Sequence, residues 1–148
     1  MSEHRATIEW ELGAADYSYD TYPRDHRWRF EGGVEVSASA APGYLGNESL
    51  VDPEEAFVAS LSSCHMLTFL AIAARKRVVV ERYCDDAVGH MEKNAEGRLA
   101  ITRVSLRPRI GFRDTPPDAA ELDRMHEAAH RNCFIANSVR SVVTVETT

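Results

Sequence analysis

The nineteen-residue run from Ala56 to Ala74, AFVASLSSCHMLTFLAIAA, constrains this chain more than any other segment. It is apolar nearly all the way round, and such a helix has to be covered nearly all the way round. Its start is written into the residues before it. Asp52 suits an N-cap, Pro53 the first helical position, and Glu54 and Glu55 the positive end of the helix dipole. Arg75, Lys76 and Arg77 place cations at its carboxyl end. The run is also long enough to cross a bilayer. Four Ser/Thr residues, His65 and amphipathic strands on both sides favour a buried helix wrapped by sheet instead, with no membrane partner.

The flanking patterns supply the sheet. Ala6, Ile8, Trp10 and Leu12 alternate with Thr7, Glu9 and Glu11, the period of a half-buried strand. Trp28–Phe30 and Val34–Val36 flank Glu31-Gly32-Gly33 and read as a hairpin. Past the helix, Val78–Tyr83 and Ala87–Lys93 read as strands, with a turn at Asn94–Gly97. A third strand follows, with Val104, Leu106, Ile110 and Phe112 inward and Arg103, Ser105, Arg107, Arg109 and Arg113 outward. Pro108 on its inward phase suggests an edge position. Thr115-Pro116-Pro117-Asp118 has capping-box spacing and opens a second helix, with Leu122, Met125 and Ala129 as its buried stripe. Val139–Glu146 is the last strand. The order β-β-β-α-β-β-β-α-β is α+β with mostly antiparallel pairing, and residues 1–148 are expected to form one domain.

A formal net charge of −6 argues against a nucleic-acid partner. The amino-terminal residues run into a polar, alternating stretch and show no signal-peptide pattern, so a cytoplasmic location is expected. In that reducing setting three cysteines are more often catalytic, metal-bound or inert than structural disulfides.

Each cysteine has a bland reading. Cys64 lies in the middle of the apolar helix, where a free thiol is usually core. Cys133 follows the second helix and takes the same discount. Cys84 precedes Asp85 and Asp86 and is read as spare. A zinc reading competes: His126, His130 and Cys133 fall within about 60° of arc on one helix face, and Cys64-His65 would have to adjoin them. Cys-His hydrolase chemistry finds no acyl-transfer motif around Cys64. On residue types alone these alternatives remain open.

Two segments favour one of them by resemblance. Asp52-Pro53-Glu54-Glu55 followed by eight residues and Cys64-His65, and then Asn132-Cys133-Phe134-Ile135-Ala136-Asn137-Ser138, resemble the two signature segments of the OsmC/Ohr family of thiol peroxidases. The strand–helix order resembles that family along essentially the whole chain. The resemblance implies an intertwined homodimer with two central helices wrapped by sheet. The implied activity is reduction of organic hydroperoxides to alcohols through a Cys64 sulfenic acid and a Cys64–Cys133 disulfide, with no cofactor and no metal. A dihydrolipoyl protein or another dithiol would be the reductant. By position, Cys64 matches the peroxidatic thiol, Cys133 the resolving thiol and Glu54 the active-site acid. Arg24 matches the activating arginine, with Arg27 as runner-up. Phe134 stands where many members carry Pro, and His65 where Ohr-type members carry an aromatic or aliphatic residue, which leans toward an OsmC-like branch. The alternative is a zinc-binding or non-catalytic member of the fold using His126, His130 and Cys133.

Helix geometry adds a demand. Cys64 lies twelve residues beyond Asp52, and the dipole effect fades within the first turn, so its activation is expected from a guanidinium outside the helix. Glu54 and Cys64 would stand about 15 Å apart along a straight axis and about 80° apart in rotation. A Glu54–Arg24 pair serving Cys64 is therefore expected from the partner subunit, or with Arg24 bridging the gap.

Overall fold

The computed structural model describes residues 1–147. It is α+β, as the sequence pattern indicates, and its residues divide into two compact units, 1–56 and 57–148.

The first unit carries an antiparallel sheet of β1 (Ala6–Glu9), β2 (His26–Phe30) and β3 (Glu35–Ala38), in that order. The Glu31–Val34 hairpin forms as its glycines suggest: Gly33 sits at φ 87°, where a side chain is strained, and Phe30 N–H donates to Val34 O at 3.0 Å. The strand read from residues 6–12 departs from expectation. It spans only four residues and all four are exposed, Ile8 by 60%. Within its own unit no second layer covers the face that its alternation prepares. Within the same unit Gly46 passes so close to the Ala40 carbonyl that a Cβ there would lie 1.6 Å from its oxygen, so only glycine fits.

The long helix α1 (Pro53–Arg75) starts as its sequence signals say. Glu55 N–H donates to Asp52 Oδ1 at 2.8 Å, and Asp52 N–H donates back to Glu55 Oε2 at 3.2 Å, a reciprocal cap. It stops in a Schellman motif: Arg77 adopts left-handed φ 59°, Val78 N–H donates to Ala73 O at 2.9 Å and Arg77 N–H to Ala74 O at 3.0 Å. That stop consumes Val78, so the next strand begins two residues later than the pattern indicated. Along α1 one stripe is fully buried, Leu61, His65, Phe69 and Ala73. Ala59, Ser63, Leu67 and Ala71 are exposed, Leu67 by 60%. The helix is thus apolar all round but covered on one side.

Four strands, not three, separate the helices: β4 (Val80–Asp85), β5 (Val88–Lys93), β6 (Leu99–Leu106) and β7 (Pro108–Phe112). The third strand read from the sequence breaks at Arg107, where the chain passes from one sheet to another. β6 pairs with β5, whereas β7 pairs with β4. Pro108 brings no N–H to a ladder, and the Arg107 N–H donates to Asp85 Oδ1 at 2.6 Å. Ser105, assigned outward, is buried at 7% because β8 (Val142–Val145) lies beside β6, parallel to it, with Thr144 opposite Ser105.

Helix α2 (Ala119–Asn132) is capped by Asp118, whose Oδ1 accepts from Glu121 N–H at 2.8 Å, rather than by Thr115. Two consecutive prolines hold the preceding residues out of helical backbone, which delays the start. Met125 and Ala129 are buried as expected, and His126 joins them. Two apolar clusters hold the second unit. Phe69, Ala73, Met125 and Ala129 form one, and Leu61, Val104 and Leu106 the other. β5 approaches α1 through Gly89, where a Cβ would lie 2.6 Å from the Val58 side chain.

Candidate active site

Cys64 stands in the middle of α1, one residue off its buried stripe, and is half-buried. Cys133 is the residue at which α2 stops: its backbone is extended (φ −73°, ψ 113°), its N–H reaches His130 O, and it is 1% exposed. The chain then folds back on itself. Asn137 N–H donates to Cys133 O at 3.0 Å, Ser138 N–H to Ile135 O at 2.9 Å and Ser138 Oγ to Phe134 O at 2.7 Å, making a single 3-10 turn at Ala136–Ser138.

This turn brings backbone donors to both thiols. Ala136 N–H lies 3.4 Å from Cys133 Sγ. Burial pushes the Cys64 thiol up, but the Ile135 amide, the Cys133 thiol and the Phe134 amide beside it outweigh that and hold Cys64 below the usual thiol value. Cys133 moves the other way. Burial raises it first, and donation to Cys64 and that sulfur's charge add to the rise, against the Ala136 and Ile135 amides. The two thiols are therefore shifted in opposite directions, Cys64 down and Cys133 up. Both thiols are free.

The groups that lower Cys64 include these peptide N–H groups from outside its own helix, which no side-chain pattern reveals. The CFIAN motif was legible as a motif; its amides as donors were not.

Arg24 and Glu54 belong to the first unit. The Arg24 guanidinium donates to the carbonyl oxygens of Tyr22 (2.6 Å) and Tyr19, and stacks over the Tyr22 ring at 3.6 Å. It borders a shallow basin of about 340 Å³ whose walls include Trp10, Tyr17, Tyr22, Pro23 and His26. Glu54 is half-buried and, among the described residues, forms no ion pair with Arg24. Arg27 lies on the sheet face 3.9 Å from Glu35.

Cys84 faces the Arg109 guanidinium at 3.5 Å, and Arg109 also reaches Asp86 at 2.7 Å. The zinc alternative required His126, His130 and Cys133 to converge. Among the described residues no group of three or more His, Cys, Asp or Glu side chains does so. Instead His65 Nε2 and His126 Nδ1 lie 3.0 Å apart. The sequence brought His65 and His126 together only as members of a conceivable zinc site, not as a hydrogen-bonded pair.

Residues 46–148 match the sequence model of the OsmC-like protein family. No curated protein gives a significant match. Among solved structures, an OsmC-like protein of unknown function from Vibrio cholerae is 49% identical, with full coverage of both chains and a TM-score of 0.96. An organic hydroperoxide resistance protein OsmC from Legionella pneumophila is 17% identical and has a TM-score of 0.72, covering 99% of this chain and 96% of its own. The organic hydroperoxide resistance protein OhrB of Bacillus subtilis is also 17% identical, with a TM-score of 0.69 and coverage of 99% and 98%. At that identity the last two share the fold.

Proposed function

The chain belongs to the OsmC-like family, and from that premise we propose that it is a cytoplasmic thiol peroxidase that reduces organic hydroperoxides. The observation that carries this reading is the pair of free thiols, Cys64 half-buried on α1 and Cys133 buried at the end of α2 with the Ala136 N–H 3.4 Å from its sulfur, and the opposite shifts of the two thiols support it. The fold shared with proteins described as conferring organic hydroperoxide resistance supports the choice of substrate.

The Cys64 thiolate attacks the outer peroxide oxygen and the O–O bond breaks. The sulfur becomes a sulfenic acid, and the departing alkoxide takes up a proton to leave as the alcohol. Cys133 then attacks the sulfenic sulfur; its S–H proton and the sulfenic hydroxyl leave together as water, and the Cys64–Cys133 disulfide remains. A dithiol, such as a dihydrolipoyl protein, supplies the two electrons that restore both thiols. Arg24 completes the activation, oriented by Glu54, with Arg27 second in line.

A second copy of the chain is the partner that covers the exposed Ala59–Ser63–Leu67–Ala71 side of α1. The reading is tested by counting thiols before and after one equivalent of cumene hydroperoxide. Loss of two thiols per chain is expected, and loss of one with a trappable sulfenic acid in Cys133→Ser. Unchanged thiols in the wild type end the proposal. Mixed dimers carrying Cys64→Ser on one chain and Arg24→Ala on the other locate the arginine. Half the activity survives if Arg24 serves the partner's Cys64; near-complete loss means that it does not.

A further inference from the structure

The disulfide step has a strict geometric requirement. Two Cα atoms have to come within about 4.4–6.8 Å with their Cβ vectors aimed at one another. Cys64 lies within one helix and Cys133 at the end of another, so the register of α1 against α2 decides whether closure is fast. Most of what joins these helices is non-directional. Phe69 and Ala73 pack on Met125 and Ala129, and contacts of this kind tolerate sliding and rotation.

One directional contact between them is buried; the other, the Lys76–Glu121 ion pair at 2.6 Å, is partly in solvent beyond the far end of α1. His65, next to Cys64 on α1, is 1% exposed, and His126, two turns before Cys133 on α2, is 4% exposed. Their Nε2 and Nδ1 atoms lie 3.0 Å apart, and the His126 ring stacks on Phe69 with centroids 4.5 Å apart. On an ideal helix His126 and Cys133, seven residues apart, fall within about 20° of the same face. The buried histidine contact and the Lys76–Glu121 ion pair therefore tie the same two elements at separate points, and the histidine contact is the one beside the thiols. Two points set a register that one point leaves free to turn.

The direction of the bond follows from the nitrogens left over. His65 Nδ1 is buried without a partner, whereas His126 Nε2 is not among the buried orphans. A stranded acceptor is tolerated more readily than a stranded N–H. His65 therefore donates from Nε2–H to His126 Nδ1, and His126 keeps its own proton on Nε2. Two stacked phenyl rings would fill this volume with no orphaned nitrogen, so packing alone does not account for imidazoles here.

We propose that the His65–His126 hydrogen bond is the register lock between the two cysteine-bearing helices, which makes both histidines positioning residues for closure of the Cys64–Cys133 disulfide. The inference rests on the thiol-peroxidase reading for its purpose, but not for its measurement.

The test compares His65→Phe, His126→Phe and the double Phe variant with His65→Gln and His126→Asn, whose amides put a polar atom where Nε2 and Nδ1 stand. Closure is measured in two ways: as the rate at which a peroxide-generated sulfenic acid disappears into disulfide, and as the equilibrium between dithiol and disulfide in glutathione buffers without peroxide. The Phe variants are expected to form sulfenic acid at the wild-type rate and to close up to about a hundredfold more slowly, the scale of a misplacement near 1 Å, with an equilibrium shifted away from the disulfide. Their sulfenic acid should then go on to sulfinic acid under excess peroxide. The Gln and Asn variants should recover most of both quantities, which a purely space-filling role does not explain. If single Phe variants fail to fold, the double variant, with no orphaned nitrogen, carries the comparison. Wild-type closure in the Phe variants, or Gln and Asn variants no better than Phe, overturns the lock. A wild type that ignores peroxide yet shows the glutathione difference overturns the peroxidase reading and leaves the lock standing.

Discussion

Residues 57–147 and residues 1–56 use the same alternating patterns and end in opposite conditions. The larger unit removes Phe69, Leu61, Leu106, Val104 and Met125 wholly from solvent. The smaller one buries only Ala38, Ser39 and Asp52, and leaves Ile8, Trp10, Phe30 and Val34 between 41% and 60% exposed. The difference is one of layers. β4 to β8 lie against two helices, whereas the β1–β2–β3 sheet carries apolar side chains that nothing in its own unit covers. A period-two pattern specifies a face that needs a cover, and it does not say which chain provides one. This is the strongest structural support for the proposed second copy.

The largest expected effect lies in the covered unit. Phe69→Ala empties a site walled by Ala73, Met125 and Ala129, and should cost about 3–5 kcal/mol in a denaturant titration. A much smaller loss would mean that this cluster is no tighter than the open sheet.

Next comes acid. Burial first, and then His126 and His130, push His65 down to about 4 from 6.5, and burial lowers His126 against the pull of Asp123 and Asp85. Tyr83 of β4 packs on the same cluster. Because the folded value lies below the unfolded one, the unfolded chain binds more protons between them. The His65 contribution is complete above pH 6.5 and is lost as pH falls toward 4, by roughly 3 kcal/mol in all. His65→Phe should flatten that slope in unfolding measured from pH 7 to pH 4.

Asp52→Ala removes the α1 cap and should cost about 1 kcal/mol by the same titration. Smallest is Ile8→Ala, at about 0.5 kcal/mol or less for a side chain that stays in water. A larger loss, shrinking at high protein concentration, would show that a second chain covers that sheet and would remove the contrast between the units.

These contrasts also mark what the sequence made legible. Signals carried by single residues were clear: the Asp52 cap, the Arg75–Arg77 stop, the Gly33 hairpin and the cysteine motifs. Features that depend on distant strands were not. Nothing local announces that β8 lies parallel to β6 and buries Ser105, or that the ladder breaks at Arg107. In the candidate site the two thiols were visible as side chains. The Phe134 and Ile135 amides that act on Cys64 were not, because every residue but proline carries an N–H and only the turn after Cys133 aims these two.

Asp85 carries one more consequence. Its carboxylate accepts from Ser62 on α1 and from the Arg107 N–H, at the point where the chain leaves one sheet for the next. Arg107 belongs to no strand, yet its amide is engaged at 2.6 Å by a charged acceptor held from two sides. In deuterium exchange that amide should keep its proton as long as its ladder neighbours do, and surrender it early in Asp85→Ala. The seam between the two sheets would then be the first part of the second unit to open.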